Sequence, residues 1–222
     1  MNQKARTGAT GNDRGEGIVR KIAGLTASLT LLVAIVGAVP AGAVSKVQLR
    51  AKTLSLSNFP TGWSVDNSTS GGAVTRPACL QGFNSSFKHE VKVTVAYTDG
   101  NVPSLQETLE SGPGVAARYA AFKRKLDGCK EINLTSGGQT ISGTIGAMSF
   151  PPVGSRSGAW AMSLTTQGVT VGVDLVLFQS GSIIGDVVYE NLGTPATDEL
   201  QAFVTEAINK IEGKGTIPPR TI

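Results

Sequence analysis

The stretch from residue 132 to residue 190 constrains the fold most strongly, because apolar side chains recur there at every second position. Successive side chains of a β-strand point to opposite faces of its sheet, so this period of two predicts strands. Short turns separate the apolar runs, and Gln167-Gly168 and Ser180-Gly181 are typical of tight hairpins. The stretch therefore predicts an antiparallel meander of about four strands.

The last two of these strands carry apolar side chains on both faces of their central part. One alternating set consists of Leu175, Leu177, Ile183 and Val187, and the second set consists of Val176, Phe178, Ile184 and Val188. We expect the two sets to lie on opposite faces of the sheet. A sheet that is apolar on both faces needs cover on both, so either the chain itself covers the second face or a ligand or partner binds there in a groove.

Two further strands and two helices are predicted outside the meander. A strand is indicated by alternation at Val91, Val93, Val95 and Tyr97, and after a turn at Gly100 residues 104–110 return beside it. Spacings of three and four residues predict two helices. Their apolar stripes are Val115, Tyr119, Phe122 and Leu126, and Leu200, Phe203, Ala207 and Ile211. The first helix is expected to begin at Pro113 and end at Gly128, with Arg118 on its polar face, and Thr194-Pro195 is expected to cap the second.

These elements predict an α+β fold in which two main helices pack on a single antiparallel sheet. The domain is expected to span residues 54–212. A lead-in of residues 44–53 precedes it, and a flexible tail of residues 213–222 follows.

Residues 1–43 have the pattern of a signal peptide. A basic pair, Arg20-Lys21, precedes an uncharged apolar run from residue 22 to residue 39. Ala41 and Ala43 supply the small side chains that signal peptidase admits, which predicts cleavage before Val44 and secretion. The alternative is an uncleaved helix that anchors the chain in the membrane. A lipid anchor would need a cysteine directly after the cleavage site, and none occurs before Cys79, so no lipid anchor is expected.

The net charge of +4 argues against nucleic acid once it is divided by position. The signal segment has five basic and two acidic residues, whereas the rest has 15 basic and 14 acidic residues, a net charge of +1. Binding of a phosphate backbone needs a clustered basic face. We therefore expect no nucleic acid partner.

Cys79 and Cys129 are the only cysteines of the chain. An even pair in an exported protein predicts one disulfide. A reactive thiol would need an activating partner, and His89 is the only histidine. The pair is therefore interpreted as a structural crosslink.

No catalytic or metal-binding pattern stands out. A serine-histidine-carboxylate triad would need His89, and the nucleophile elbow G-x-S-x-G is absent. One histidine, two paired cysteines and scattered carboxylates do not predict a metal site. We expect no enzyme and no cofactor. The alternative enzyme would use carboxylates such as Asp174 or Glu107 as acid or base.

Five residues are candidates for lining a ligand site: Trp63, Tyr97, Trp160, Asp174 and Phe178. Asp174 is the one charge inside an apolar strand, where we expect it to orient a ligand, to face solvent or to form structural hydrogen bonds. The aromatic side chains line a pocket or pack in the core.

The string Asn58-Phe59-Pro60-Thr61-Gly62-Trp63, the two cysteines and the closing meander and helix resemble actinobacterial exported domains. They are similar to the extracytoplasmic sensor domain of PknH-type kinases and to related mycobacterial lipoproteins, which implies a Mog1/PsbP-like fold. The resemblance implies binding or sensing at the cell envelope and supplies no catalytic residues.

We therefore expect an exported, non-catalytic, sensor-like domain that binds an apolar ligand or an envelope protein. The alternatives are a structural or dimerising envelope protein and an enzyme of unfamiliar type.

Overall fold

The computed structural model describes residues 44–67, 79, 91–100, 102–136, 139–193 and 197–215. The predicted signal peptide with Ala41 and Ala43, the single histidine His89 and the predicted cap at Thr194-Pro195 lie outside the described residues. Most of the predicted tail also lies outside them.

The described residues form one antiparallel sheet of eight strands with three α-helices. The strands are β1 (Ser64–Val65), β2 (Val91–Thr98), β3 (Ser104–Ser111), β4 (Glu131–Ser136), β5 (Gln139–Ala147), β6 (Arg156–Thr166), β7 (Val169–Ser180) and β8 (Ile183–Leu192). The helices are α1 (Lys46–Ala51), α2 (Val115–Gly128) and α3 (Thr197–Glu212), with a 3₁₀ turn at Leu56–Asn58. The spatial order is β1-β2-β3-β8-β7-β6-β5-β4.

The predicted α+β class, with a single antiparallel sheet, is confirmed, but two details of the prediction are wrong. The meander has five strands, because a further edge strand, β4, pairs with β5. The lead-in contains α1, a third helix. A capping box explains its start, since Ser45 and Gln48 exchange side-chain to backbone hydrogen bonds. Leu49 is the only buried side chain of α1, so this short helix has no apolar periodicity.

The predicted division of the apolar residues of β7 and β8 between the two faces of the sheet is wrong. Ile183 and Val187 share a face with Val176 and Phe178, not with Leu175 and Leu177. Gly181 and Ser182 form the turn, and the flanking residues Ser180 and Ile183 face each other. With a two-residue turn, paired residues have numbers of opposite parity, so Val176 lies beside Val187. We call the face that carries these two side chains the inner face, and the opposite face the outer face.

The chain's own helices cover both faces of β7 and β8. On the inner face Val176, Phe178 and Val187 are buried together with apolar side chains of α1 and α3. On the outer face Leu175, Leu177 and Ile184 are buried against α2. The expectation of an apolar groove over these two strands is therefore wrong.

The predicted disulfide between Cys79 and Cys129 is present. Cys129 directly follows α2, so the crosslink ties the carboxyl end of this helix to the segment that contains Cys79. The two residues are 50 positions apart in the sequence.

Removing this crosslink is expected to destabilise the domain. Replacement of both cysteines (C79S and C129S) should lower the free energy of unfolding by about 4 kcal/mol, because a closed loop of this length restricts the unfolded chain. Urea denaturation of the double variant and of the oxidised parent gives the difference. An unchanged unfolding midpoint would contradict a structural role for the disulfide.

The close approach of Phe178 to β8 gives a second stability test. A Cβ atom at Gly185 would lie 2.4 Å from the ring of Phe178, which is fully buried. Gly185→Ala should therefore cost about 1–3 kcal/mol, since the packed ring has no free space to move into. Gly146→Ala is the matched control on β5, because its Cβ would meet no atom within 4 Å. Equal thermal stability of the two variants would contradict this packing.

Candidate functional site

The helices leave part of the inner face uncovered. Helices α1 and α3 lie over β2, β3 and β7, whereas α2 lies on the other side of the sheet. The strands β5 and β6 consequently expose the hydroxyl side chains of their inner face. We call this surface the open inner face, and it consists of Ser142, Thr144, Ser163, Thr165 and the neighbouring Thr170 of β7.

Asp174 lies at the border between the open inner face and the covered core. It is 1% exposed, and neither of its carboxylate oxygens has a hydrogen-bond partner. Burial raises the pKa of this carboxyl group to about 6. An ionised carboxylate without partners is unfavourable in such a place, because it has lost water and gained no donor.

The neighbours of Asp174 differ on its two sides. Ala161 of β6 and Gly146 of β5 continue its row across the sheet on one side, and Tyr189 of β8 stands on the other. The Tyr189 hydroxyl donates a hydrogen bond to Glu199 at the start of α3. Burial, the hydrogen bond to Glu199 and the charges of Glu199 and Asp174 raise the pKa of Tyr189. The Tyr189 hydroxyl therefore donates its hydrogen bond to Glu199 and not to Asp174.

A second charged cluster lies on the outer face, beside α2. Glu110 of β3 accepts hydrogen bonds from Arg118, with 2.6 Å between Nε and Oε2, and also pairs with Lys92 at 3.3 Å. Burial raises the pKa of Asp186 to about 7, and the Glu110 charge adds to this effect, against the opposing effect of Lys92. These ion pairs join α2 to the sheet.

This cluster was not predicted from the sequence, and the prediction that Arg118 lies on the polar face of α2 is wrong. Arg118 is buried and pairs with Glu110. The spacing of Arg118 in the sequence indicates its buried position, because it stands three residues after Val115 and four before Phe122, within the apolar stripe. A charged residue inside such a stripe indicates a buried partner.

Glu107 is buried beneath the connection between α1 and the 3₁₀ turn. Its Oε2 accepts a hydrogen bond of 2.6 Å from the Leu54 amide, whereas Oε1 has no partner. Burial raises the pKa of Glu107 to about 8, and the hydrogen bond from Leu54 opposes this change. Strand β8 lies between Glu107 and Asp174, so the two carboxylates named for the alternative enzyme do not face a common cleft.

The aromatic candidates are mainly core residues. Trp63 and Tyr97 each stack on Phe59, with ring centroids 4.9 and 4.3 Å apart. Phe178 is fully buried on the inner face. Trp160 is buried on the outer face and belongs to a different cluster, so the structure does not bring the five candidates together.

The string from Asn58 to Trp63 also has a structural explanation. The Asn58 side chain donates a 2.9 Å hydrogen bond to Glu206 of α3 and accepts one from Lys210. Phe59 packs against Phe203 of the same helix at 4.8 Å. This segment therefore fastens α3 to the sheet.

Among solved structures, the chain is similar to the extracellular domain of PknH from Mycobacterium tuberculosis, with a TM-score of 0.60 and 12% sequence identity. The likeness covers 78% of this chain and 99% of that domain. No protein-family model and no curated protein sequence matches the chain. At this identity the likeness shows a fold shared with the extracellular domain of PknH.

None of the helices in the described part of the chain is long and apolar enough to cross a membrane. The residues of this part also contain no group of three or more histidine, cysteine, aspartate or glutamate side chains that could hold a metal ion.

The raised pKa of Glu107 predicts a stability that falls with rising pH. Its folded pKa of about 8 lies above the ordinary value of 4.5, so the folded state holds the proton more tightly. This contribution is complete below pH 4.5 and is lost as the pH rises towards 8, by at most about 1.4 kcal/mol per pH unit. Urea denaturation between pH 5 and 8 measures the slope.

Glu107→Gln is the control for this pH dependence, because glutamine is neutral throughout. The variant should have a flatter profile and gain stability relative to the parent at pH 8. Asp174 and Asp186 have raised pKa values and keep part of the slope. A parent stability that rises from pH 5 to 8 would contradict the prediction.

Proposed function

We propose that this protein is an exported, non-catalytic domain of the cell envelope that binds a ligand or partner on its open inner face. The observation that carries the proposal is the position of Asp174, a buried carboxylate without partners at the inner end of an exposed hydroxyl-rich surface. Native proteins rarely leave a buried polar group unpaired, so such a group calls for an explanation.

The surroundings of Asp174 favour recognition rather than packing. Thr144 and Ser163 are exposed and offer hydroxyl groups that both donate and accept hydrogen bonds. A rigid sheet holds them in fixed register, which suits a site that must keep its geometry. Because the central strands are covered, a polar or charged ligand fits this surface better than the apolar ligand expected from the sequence.

The arrangement of the carboxylates supports a binding role over catalysis. Acid-base chemistry needs groups that converge on one reacting atom. Glu107 lies in the core and Asp186 on the outer face, so neither reaches Asp174 on the inner face. The likeness to the extracellular domain of PknH is compatible with a sensor-like role at the envelope.

A titration followed by NMR tests the proposal. The protein, isotopically labelled and purified as its own host exports it, is mixed with soluble fragments of that host's envelope. We expect the amide signals of Ser142, Thr144 and Ser163 to shift, whereas those of Thr94 and Gln106, exposed on the outer face, stay unchanged. Absence of shifts, or shifts centred on the outer face, would contradict it.

A matched pair of substitutions sharpens this test. Ser163→Arg places a long side chain on the open inner face and should abolish the shifts by obstruction. Thr94→Arg makes the same change at an exposed strand position of the outer face and should leave binding intact. Equal effects of the two substitutions would argue against a site on the inner face.

A further inference from the structure

We infer that Asp174 receives a cationic organic group, an alkylammonium or a guanidinium, from the ligand on the open inner face. This inference rests on the proposed function and names the chemical class of the ligand. Its basis is the lack of partners of both carboxylate oxygens, together with the small side chains of Ala161 and Gly146, which continue the row of Asp174 towards the open inner face.

The carboxylate has unused capacity for hydrogen bonds. An ionised aspartate accepts bonds along about four lone-pair directions, and a cationic donor forms the strongest of them. The ion pairs of the described residues engage Lys92, Arg118, Lys123 and Lys214 with other acids. None of these ion pairs includes Asp174, so no ion pair among the described residues compensates its charge when it is ionised.

The row of residues beside Asp174 leaves room for such a group. Ala161 lies directly opposite Asp174 on β6 and has a side chain of one carbon. Gly146 follows on β5, and a Cβ atom there would meet nothing within 4 Å. On the other side Tyr189 presents its ring, while its hydroxyl is bound to Glu199. A slender cation approaching over β5 and β6 therefore meets no large side chain in this row.

A metal ion fits this place less well than an organic cation. Calcium needs six to eight oxygen ligands and magnesium needs a complete octahedron. The described residues contain no group of three acidic, histidine or cysteine side chains that could hold a metal ion. A single carboxylate matches an ammonium, a compact charge with three N–H donors, or a guanidinium, which binds a carboxylate through two parallel hydrogen bonds.

The test follows the Asp174 carboxyl signal by carbon NMR in the full exported protein, with propylammonium and guanidinium as probes. A bound cation stabilises the ionised form, so each effective probe should lower the apparent pKa of Asp174 by about one unit. Asp186 is the internal control on the outer face and should keep its pKa. An unchanged Asp174 pKa at high probe concentration, or an equal change at Asp186, would overturn the inference.

Two variants complete the test. Asp174→Asn should remove probe binding and stay folded, because it deletes a buried charge. Ala161→Lys places an ammonium opposite Asp174, and it should lower the pKa of Asp174 without probe and prevent the response to propylammonium. Probe binding by the Asp174→Asn variant at the same site would overturn the inference.

The two proposals fail in different ways. If envelope fragments still shift Ser163 in the Asp174→Asn variant with unchanged affinity, the open inner face binds a ligand but the cation inference is wrong. If the probes bind at Asp174 and no envelope fragment shifts the open inner face, the cation site is supported and the proposed function is contradicted.

Discussion

The structure depends on one constraint, the apolar character of β7 and β8 on both faces. Strands of this kind must be shielded on both sides, and in an antiparallel sheet this requires helices above and below. Helices α1 and α3 provide the cover on the inner face, and α2 provides it on the outer face. Because the two covers are displaced from each other across the sheet, each face keeps an exposed part.

The candidate site follows from this displacement. Strand β7 runs from the exposed Thr170, through the border residue Asp174, to the fully buried Phe178. Asp174 therefore lies at the position along β7 where the cover by the helices ends. An aspartate at position 178 would be enclosed in the apolar core, whereas an aspartate at position 170 would be exposed to water.

Buried carboxylates recur in this fold with different outcomes. Glu110 is neutralised by Arg118 and Lys92, and Glu107 receives the Leu54 amide. Asp174 has neither arrangement. Interactions within the chain compensate the cost of burying Glu110 and, in part, that of burying Glu107, but no such interaction compensates it at Asp174.

Sequence periodicity predicted most of the strands and both long helices because their buried stripes are long enough to repeat; the edge strand β4 was not predicted. Periodicity did not predict α1, because the six residues of this helix bury only one side chain. It also predicted the wrong faces for the apolar residues of β8, because these depend on the length of the turn between β7 and β8. The sequence alone singles out Asp174 as a charged residue in an otherwise apolar strand. That its oxygens lack partners is a tertiary property, since Ala161 and Tyr189 come from neighbouring strands.

Thiol accessibility tests the central claim most directly, namely that the cover of the inner face ends within β6. Ala159 and Ser163 lie on the same face of this strand, but Ala159 is 6% exposed and Ser163 is exposed. In the folded, disulfide-bonded protein, Ser163→Cys should react with a maleimide as fast as in denaturant, and Ala159→Cys should react far more slowly. Protection of the cysteine at position 163 would contradict an open inner face.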